Sequence, residues 1–135
     1  MILTDTSVTI NFLKGKTGHK VELFEQILRR QIPFGISCYT YQETLQGAKD
    51  QKEWQLLKDY LSTQTIYYSP ETLETYEKAA FLFFNLRRSG VTPRSTMDML
   101  IALTAIEYNL YLLHEDRDFD IMANHLPNLQ ILNSL

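Results

Sequence analysis

Residues 1–13 read Met-Ile-Leu-Thr-Asp-Thr-Ser-Val-Thr-Ile-Asn-Phe-Leu, and Asp5 is the only charged side chain among them. A brief apolar run beside turn-capable residues is more typical of a buried strand than of a helix. We therefore predict a strand over residues 1–3, with Asp5 at its end. Because Asp5 lies between stretches that would otherwise be core, its carboxylate needs a partner.

Outward from this segment, short apolar runs alternate with helical patterns along the whole chain. Strands are predicted at Phe34–Cys38, Thr65–Tyr68, Tyr111–Leu113 and Leu129–Leu132. Helices are predicted at His19–Gln31, from Thr40 to about Ala48, and at Lys52–Leu61, Pro70–Ser89, Ser95–Tyr108 and Phe119–Asn124. This alternation implies crossover connections between parallel strands. We predict an α/β fold, a three-layer α/β/α sandwich with a central parallel sheet of four to five strands.

Length and composition favour one globular domain over residues 1–135. Hydrophobic residues make up 44% and charged residues 21% of the chain, both near globular averages. No apolar run approaches the roughly 20 residues of a membrane span, and the first residues do not resemble a signal peptide. The single cysteine, Cys38, has no partner for a disulfide and agrees with a reducing compartment. We expect a cytoplasmic protein with no membrane contact.

The formal charge of -3 does not exclude a nucleic-acid partner. If four of the 16 acids occupy one metal site, the remaining 12 face 13 Lys and Arg, a balance of +1. Net charge therefore does not decide between partner classes, although phosphate binding generally requires an excess of basic residues.

Three further acids also stand where a local role and a functional role compete. Asp98 begins a helix that is apolar around nearly its whole circumference, where it is either the acid of a Ser95-x-x-Asp98 capping box or part of a site. Glu43 fits a Thr40-x-x-Glu43 capping box, and Asp116 could cap the next helix or remain solvated. Asp5, in turn, could accept hydrogen bonds from backbone amides at a strand-to-helix turn.

Considered together, Asp5, Glu43, Asp98 and Asp116 favour a shared site. In open parallel sheets ligands bind beyond the carboxyl ends of the strands, and the predicted topology brings all four residues toward that edge. At an effective dielectric constant of about 20, two carboxylates 4 to 5 Å apart repel by roughly 3 to 4 kcal/mol, so the cluster must be neutralised. Oxygen ligands without His or Cys favour Mg²⁺ or Mn²⁺, and such sites usually serve phosphate chemistry.

The same residues resemble the motifs of the PIN-domain family, and within it the VapC-like toxins. Leu3-Thr4-Asp5-Thr6-Ser7 is similar to its first motif, Tyr39–Glu43 to the segment that carries its glutamate, and Asp98–Ala102 to its third motif. Asp116-Arg117-Asp118-Phe119 resembles the fourth, in which the first aspartate is usually the metal-site acid. His114 and Glu115 stand before that motif, where the family often has Thr or Ser. The resemblance covers essentially the whole chain.

This resemblance implies a Mg²⁺-dependent endoribonuclease that hydrolyses RNA, forms a homodimer and is inhibited by a cognate antitoxin protein. Asp5, Asp98 and Asp116 would hold the ion, directly or through water, and Glu43 would orient the attacking water. Thr6 and Ser7 could hydrogen-bond a ligand carboxylate or a phosphate. Candidate phosphate contacts are Lys14, Lys16, Arg87, Arg88, Arg94 and Arg117.

Two other functions compete with the nuclease. A haloacid-dehalogenase-like phosphatase would use Asp5 as a nucleophile, but its second Asp would stand at position 7, which is Ser7 here. A catalytically silent PIN-fold binding module is the other alternative, although all four acids are present. The apolar segment Ala79–Phe84 is either deeply buried or part of a partner surface, and Trp54 belongs to the core or to such a surface.

Overall fold

Five short strands form one parallel sheet in the order β3-β2-β1-β4-β5, in a computed structural model that describes residues 1–135. The strands are β1 (Ile2–Thr4), β2 (Phe34–Ser37), β3 (Thr65–Tyr67), β4 (Tyr111–Leu113) and β5 (Gln130–Ile131). The helices are α1 (Thr6–Leu13), α2 (His19–Arg29), α3 (Cys38–Gln46), α4 (Gln51–Leu61), α5 (Leu73–Arg88), α6 (Thr96–Glu107) and α7 (Arg117–Ala123). The predicted three-layer fold with a parallel sheet is confirmed.

Alternating side chains of the strands build a hydrophobic core on each face of the sheet. Leu3 and Leu112 point to one face, where they join residues of α5, α6 and α7. Ile2 and Leu113 point to the other face, toward α1 and α2. There the ring of Phe24 makes edge-to-face contacts with two other phenylalanines, Phe12 and Phe34. Both faces are therefore covered, as an all-parallel sheet requires.

The strand order locates the place where a ligand is expected. The chain runs from β1 to β2 and β3 on one side of the sheet, and β4 and β5 lie on the other side. The order thus reverses between β1 and β4, and clefts in open α/β sheets form at such a reversal, beyond the carboxyl ends of the strands. Asp5 follows β1 directly, and the loop after β4 leads to Asp116.

One helix was not predicted, and the ends of the others are shifted from the predicted positions, with informative shifts at the starts of α3 and α5. Helix α1 was not predicted, because residues 6–13 are rich in β-branched and polar side chains that favour helices poorly. Helix α3 begins at Cys38 rather than near Thr40. Helix α5 begins at Leu73 rather than at Pro70, because Glu71 adopts a left-handed conformation (φ 52°) that cannot continue a helix.

None of the seven helices combines the length and hydropathy that crossing a membrane would require.

Candidate metal centre

The four predicted site acids line one cleft at the carboxyl ends of β1 and β4. This acidic cleft, of about 300 Å³, is bordered by Asp5, Thr6, Ser7, Ile10, Asn11, Glu43, Asp98, Glu115 and Asp116. Four separate parts of the fold contribute the acids: the end of β1, α3, the first turn of α6, and the loop between β4 and α7. The structure therefore brings together residues that lie up to 111 positions apart in the sequence.

Asp5 is the most deeply buried of these acids, with 6% of its surface exposed. It is the N-cap of α1, where its Oδ2 accepts hydrogen bonds from the Ser7 backbone N–H (3.2 Å) and the Ser7 hydroxyl (2.7 Å). Burial raises the pKa of Asp5 above its ordinary value, and the hydrogen bonds from Ser7 oppose that rise. Asp5 thus has a local capping role and faces the cleft as well.

Ser7 connects the two loops that carry site acids. Its hydroxyl donates to Asp5 and accepts a hydrogen bond from the backbone N–H of Glu115 (2.9 Å). Since Glu115 precedes Asp116, this one side chain links the turn after β1 to the loop after β4. The expectation that Ser7 hydrogen-bonds a ligand carboxylate agrees with this geometry.

Glu43 has no capping role, so the predicted Thr40-x-x-Glu43 box is wrong. Ser37 caps α3 instead, because its hydroxyl accepts a hydrogen bond from the Thr40 backbone N–H at 3.0 Å. Thr40 and Glu43 therefore lie inside the helix, and the Glu43 carboxylate forms no hydrogen bond within the chain. Burial raises the pKa of Glu43, and the negative charge of Asp5 raises it further.

Asp98 lies in the first turn of α6, where Ser95 is the N-cap as predicted. The Ser95 hydroxyl accepts a hydrogen bond from the Met97 N–H at 3.2 Å, but Asp98 does not complete the capping box. Its half-buried carboxylate forms no hydrogen bond. Burial, followed by the charges of Asp116, Asp5, Glu43 and Asp118, raises the pKa of Asp98 to about 7.

Asp116 and Asp118 differ in the surface that each lines. Asp116 is the N-cap of α7, accepts the Asp118 N–H at 2.9 Å through Oδ1, and borders the acidic cleft. Asp118 borders a different depression, beside Gly90 and Pro93, and accepts hydrogen bonds from Arg94 Nε (3.1 Å) and from the Arg94 backbone N–H (3.3 Å). Arg94 also reaches Asp116 Oδ1 at 3.4 Å, so this arginine, a candidate phosphate contact, is paired with two carboxylates.

The donor set of the cleft fits a small divalent cation. Carboxylate oxygens of Asp98, Asp116 and Asp118 lie within 4.8 Å of one another, with Asp5 and Glu43 nearby. The carboxylates of Asp98 and Glu43 have no intramolecular donor, so their charge is not offset by the protein itself. Oxygen-only ligands of this kind suit Mg²⁺ or Mn²⁺.

Sequence reasoning did not identify Ile10 and Asn11 as residues of the cleft, and it noted Glu115 only as an additional acid before the fourth motif. The Asn11 amide donates a hydrogen bond to Glu115 Oε2, which ties α1 to the loop after β4. The sequence did show Glu115 as an additional acid next to Asp116. It gave no indication of a role for Asn11, because α1 was not predicted. His114, which lies between β4 and Glu115, is fully buried.

Comparisons with known proteins identify the family of this chain. The family model described as "PIN domain" matches residues 2–124. The chain is 28% identical over 131 residues to VapC ribonuclease Mb1587 of Mycobacterium bovis and to ribonuclease VapC11 of Mycobacterium tuberculosis, covering 96% of each protein and 96% of this chain.

Solved structures with the same fold include VapBC2 from Rickettsia felis bound to a promoter DNA fragment, with a TM-score of 0.70, 21% identity and full coverage of both chains. Another is VapBC-1 from nontypeable Haemophilus influenzae, with a TM-score of 0.71, 19% identity and 98% coverage of both chains. At these identities the structural likeness describes the fold. Because the family model spans nearly the whole chain, this protein belongs to the PIN-domain family.

Proposed function

We propose that residues 1–135 act as a single nuclease domain, a Mg²⁺-dependent endoribonuclease that is the toxin of a toxin–antitoxin pair and works in the cytoplasm. The observation that carries this proposal is Asp98, a half-buried carboxylate without a hydrogen bond that faces four other acids. Electrostatic repulsion among clustered carboxylates is tolerated where a bound cation offsets their charge. The ribonuclease activity named for the two mycobacterial relatives supports RNA as the substrate.

In the proposed reaction, one water molecule is consumed, one P–O bond breaks, and the RNA fragments leave with a phosphate and a hydroxyl end. When bound, Mg²⁺ would supply the positive charge that stabilises the phosphoryl oxygens and lowers the pKa of water. Asp5, Asp98 and Asp116 would hold the ion. Glu43, whose carboxylate is free of hydrogen bonds and has a raised pKa, would orient the water and accept its proton.

The phosphatase alternative fits the cleft less well. Oδ2 of Asp5 accepts two hydrogen bonds from Ser7, which hold this carboxylate in a capping role at the N-terminus of α1. Ser7 also occupies the position where a second aspartate would serve as the acid. A silent binding module has no need for an unpaired Asp98 and Glu43 in one cleft, because such charges lower stability without serving catalysis.

The test is to incubate the purified protein with a labelled single-stranded RNA and, separately, with p-nitrophenyl phosphate. We expect two RNA fragments in Mg²⁺, none in EDTA, and no release of p-nitrophenol. Asp5→Asn should abolish cleavage, whereas Asp59→Asn, an exposed aspartate on α4, should leave it unchanged. Release of p-nitrophenol without RNA fragments would favour the phosphatase, and inactivity on both substrates would favour the binding module.

Two surfaces with exposed hydrophobic side chains support the proposed homodimer and antitoxin contacts. A groove of about 400 Å³ between α5 and α6 is lined by six hydrophobic residues, among them Tyr76, Phe83 and Met99. On the same helix Phe81 is 60% exposed and stacks on Phe84, whereas Ala79 is buried, so the Ala79–Phe84 segment is only partly buried. The second surface includes the exposed side chains of Leu13, Leu56 and Tyr60. If the isolated chain sediments as a monomer at micromolar concentration in analytical ultracentrifugation, the proposed dimer is wrong.

A further inference from the structure

A second depression adjoins the acidic cleft and shares Asn11 and Glu115 with it. This polar groove, of about 460 Å³, has no hydrophobic residue in its lining. Its other walls are His19 and Lys20 at the start of α2, His114, and two residues of α7, Arg117 and Asp120. A ligand that extends out of the acidic cleft across Asn11 and Glu115 therefore enters a surface composed only of polar and charged groups.

The N-terminus of α2 opens on this groove without a cap. Gly18 occupies the N-cap position (φ 151°), so no side chain accepts the first backbone N–H groups. The N–H groups of His19, Lys20 and Val21 have no acceptor within the chain. Unsatisfied N–H groups and the positive end of the helix dipole make such a terminus attractive to an anion.

His114 gives an independent indication that the groove binds a polar ligand. Its side chain is 1% exposed, yet neither ring nitrogen forms a hydrogen bond. Nε2 lies 3.2 Å from the carboxylate of Asp120 but without hydrogen-bond geometry, and Nδ1 forms no hydrogen bond. Buried polar atoms are almost always paired in folded proteins. The Asp120 side chain is 62% exposed and is thus free to move away from Nε2.

The charged groups around the groove differ in their availability. Glu115 is held by Asn11, and the Lys20 ammonium group is bound to the Leu132 carbonyl (2.5 Å) and to Asn133 Oδ1 (3.0 Å). Arg117 is exposed and forms no ion pair, so its guanidinium group remains available to a ligand. Lys20 then contributes to the positive field, while Arg117 and the α2 N–H groups offer direct donors.

From these observations we infer that the polar groove binds an RNA phosphodiester that neighbours the one to be cleaved. The inference rests on the proposed function, because the groove adjoins the acidic cleft and Asn11 and Glu115 line both. Phosphate oxygens would accept from the uncapped N–H groups of α2 and from Arg117. An acidic peptide has similar acceptors, but the position of the groove beside a candidate phosphodiester cleft favours the nucleic acid.

The test compares binding of a fluorescein-labelled single-stranded RNA by variants made in an Asp98→Asn background, with anisotropy measured across a salt series. Arg117→Gln should weaken binding about tenfold, the effect of one charge-assisted hydrogen bond, and reduce the salt slope by about 0.7. Asp120→Asn removes a negative charge from the groove and should tighten binding. Arg29→Gln is the matched control, because it removes an exposed arginine at the far end of the same helix α2.

If the Arg117→Gln and Arg29→Gln variants bind RNA with equal affinity, the inference is wrong. It is also wrong if Arg117→Gln weakens the binding of a labelled glutamate-rich peptide but not the binding of the RNA. With Asp98 restored, Arg117→Gln should raise KM for RNA cleavage and leave kcat unchanged. Normal cleavage with no difference between the two arginine variants would reject the subsite and leave the nuclease standing. Selective RNA binding by a protein that cleaves no RNA would reject the nuclease and leave the subsite standing.

Discussion

Asp98 and Asp118 lie in the first turns of two different helices, and their carboxylate oxygens lie within 4.8 Å of each other. Their hydrogen-bond environments differ. Asp118 receives two hydrogen bonds from Arg94, one from its side chain and one from its backbone. Asp98 receives none, and its pKa is raised to about 7. The Arg94 side chain offsets the charge of Asp118, whereas the charge of Asp98 is left for a bound metal ion to neutralise.

The largest expected effect is on catalysis. Asp98→Asn should reduce the rate of Mg²⁺-dependent RNA cleavage by more than about a thousandfold, because a metal ligand contributes several kcal/mol to the transition state. Asp118→Asn should cost about tenfold or less, since Asp118 is paired with Arg94 and does not border the acidic cleft. Single-turnover cleavage of a labelled RNA measures both rates.

Asp116→Asn is the variant that makes this comparison decisive. Asp116 borders the cleft, so its loss should resemble that of Asp98 rather than that of Asp118. If Asp118→Asn loses more activity than Asp116→Asn, then Asp118 rather than Asp116 is the metal ligand, and our assignment of these two residues is wrong.

The pH dependence of Mg²⁺ binding should show the second largest effect. An ion binds the ionised carboxylate, so a ligand with a pKa of about 7 must lose a proton as the metal binds. The apparent affinity for Mg²⁺ should therefore increase about tenfold between pH 6 and pH 8, as measured by calorimetry. In Asp98→Asn the affinity should be weak and nearly independent of pH in this range.

The smallest effect concerns stability without metal, and its sign follows from the same pKa. Because the pKa of Asp98 is higher in the folded protein than in the unfolded chain, the folded state holds more protons between about pH 4 and pH 7. The free energy of unfolding should fall as pH rises through this range, since ionisation is disfavoured in the cleft. Asp98→Asn lacks this loss and should melt a few degrees above the wild type near pH 8 in EDTA.

The difference in melting temperature between wild type and Asp98→Asn should disappear near pH 4, where Asp98 is protonated in the folded state. Asp118→Asn provides the control, because it removes the partner of Arg94 and should not raise the melting temperature. An Asp98→Asn protein that unfolds more easily than wild type at pH 8 would instead indicate a structural role for this aspartate.

Most of the fold was predictable because its signals are local. Runs of apolar residues separated by helical patterns predicted all five strands and six of the seven helices, with ends shifted by a few residues. Helix α1 was missed, because its intrinsic propensity is poor and its stability comes from the Asp5 cap and from packing of Val8 and Phe12 in the core under α2. Packing against distant parts of the chain overrode local preference there.

The site was predictable in part for the same reason. Isolated acids in apolar surroundings, Asp5 and Asp98, are visible in the sequence because their desolvation would be costly. The cap of α3 was not, since Ser37 and Thr40 are both good N-cap residues and only the structure selects Ser37. That choice leaves Glu43 free of a capping role and turned toward the cleft.

The sequence by itself therefore determined the order of strands and helices and the residues whose charge needs an explanation, because periodicity and polarity are properties of neighbouring residues. Only the tertiary structure decided that Arg94 pairs with Asp118, that Asp116 faces the cleft, and that the uncapped start of α2 adjoins Asn11 and Glu115. Those pairings depend on how distant segments pack, and electrostatic interactions act over a few ångströms of space rather than along the chain.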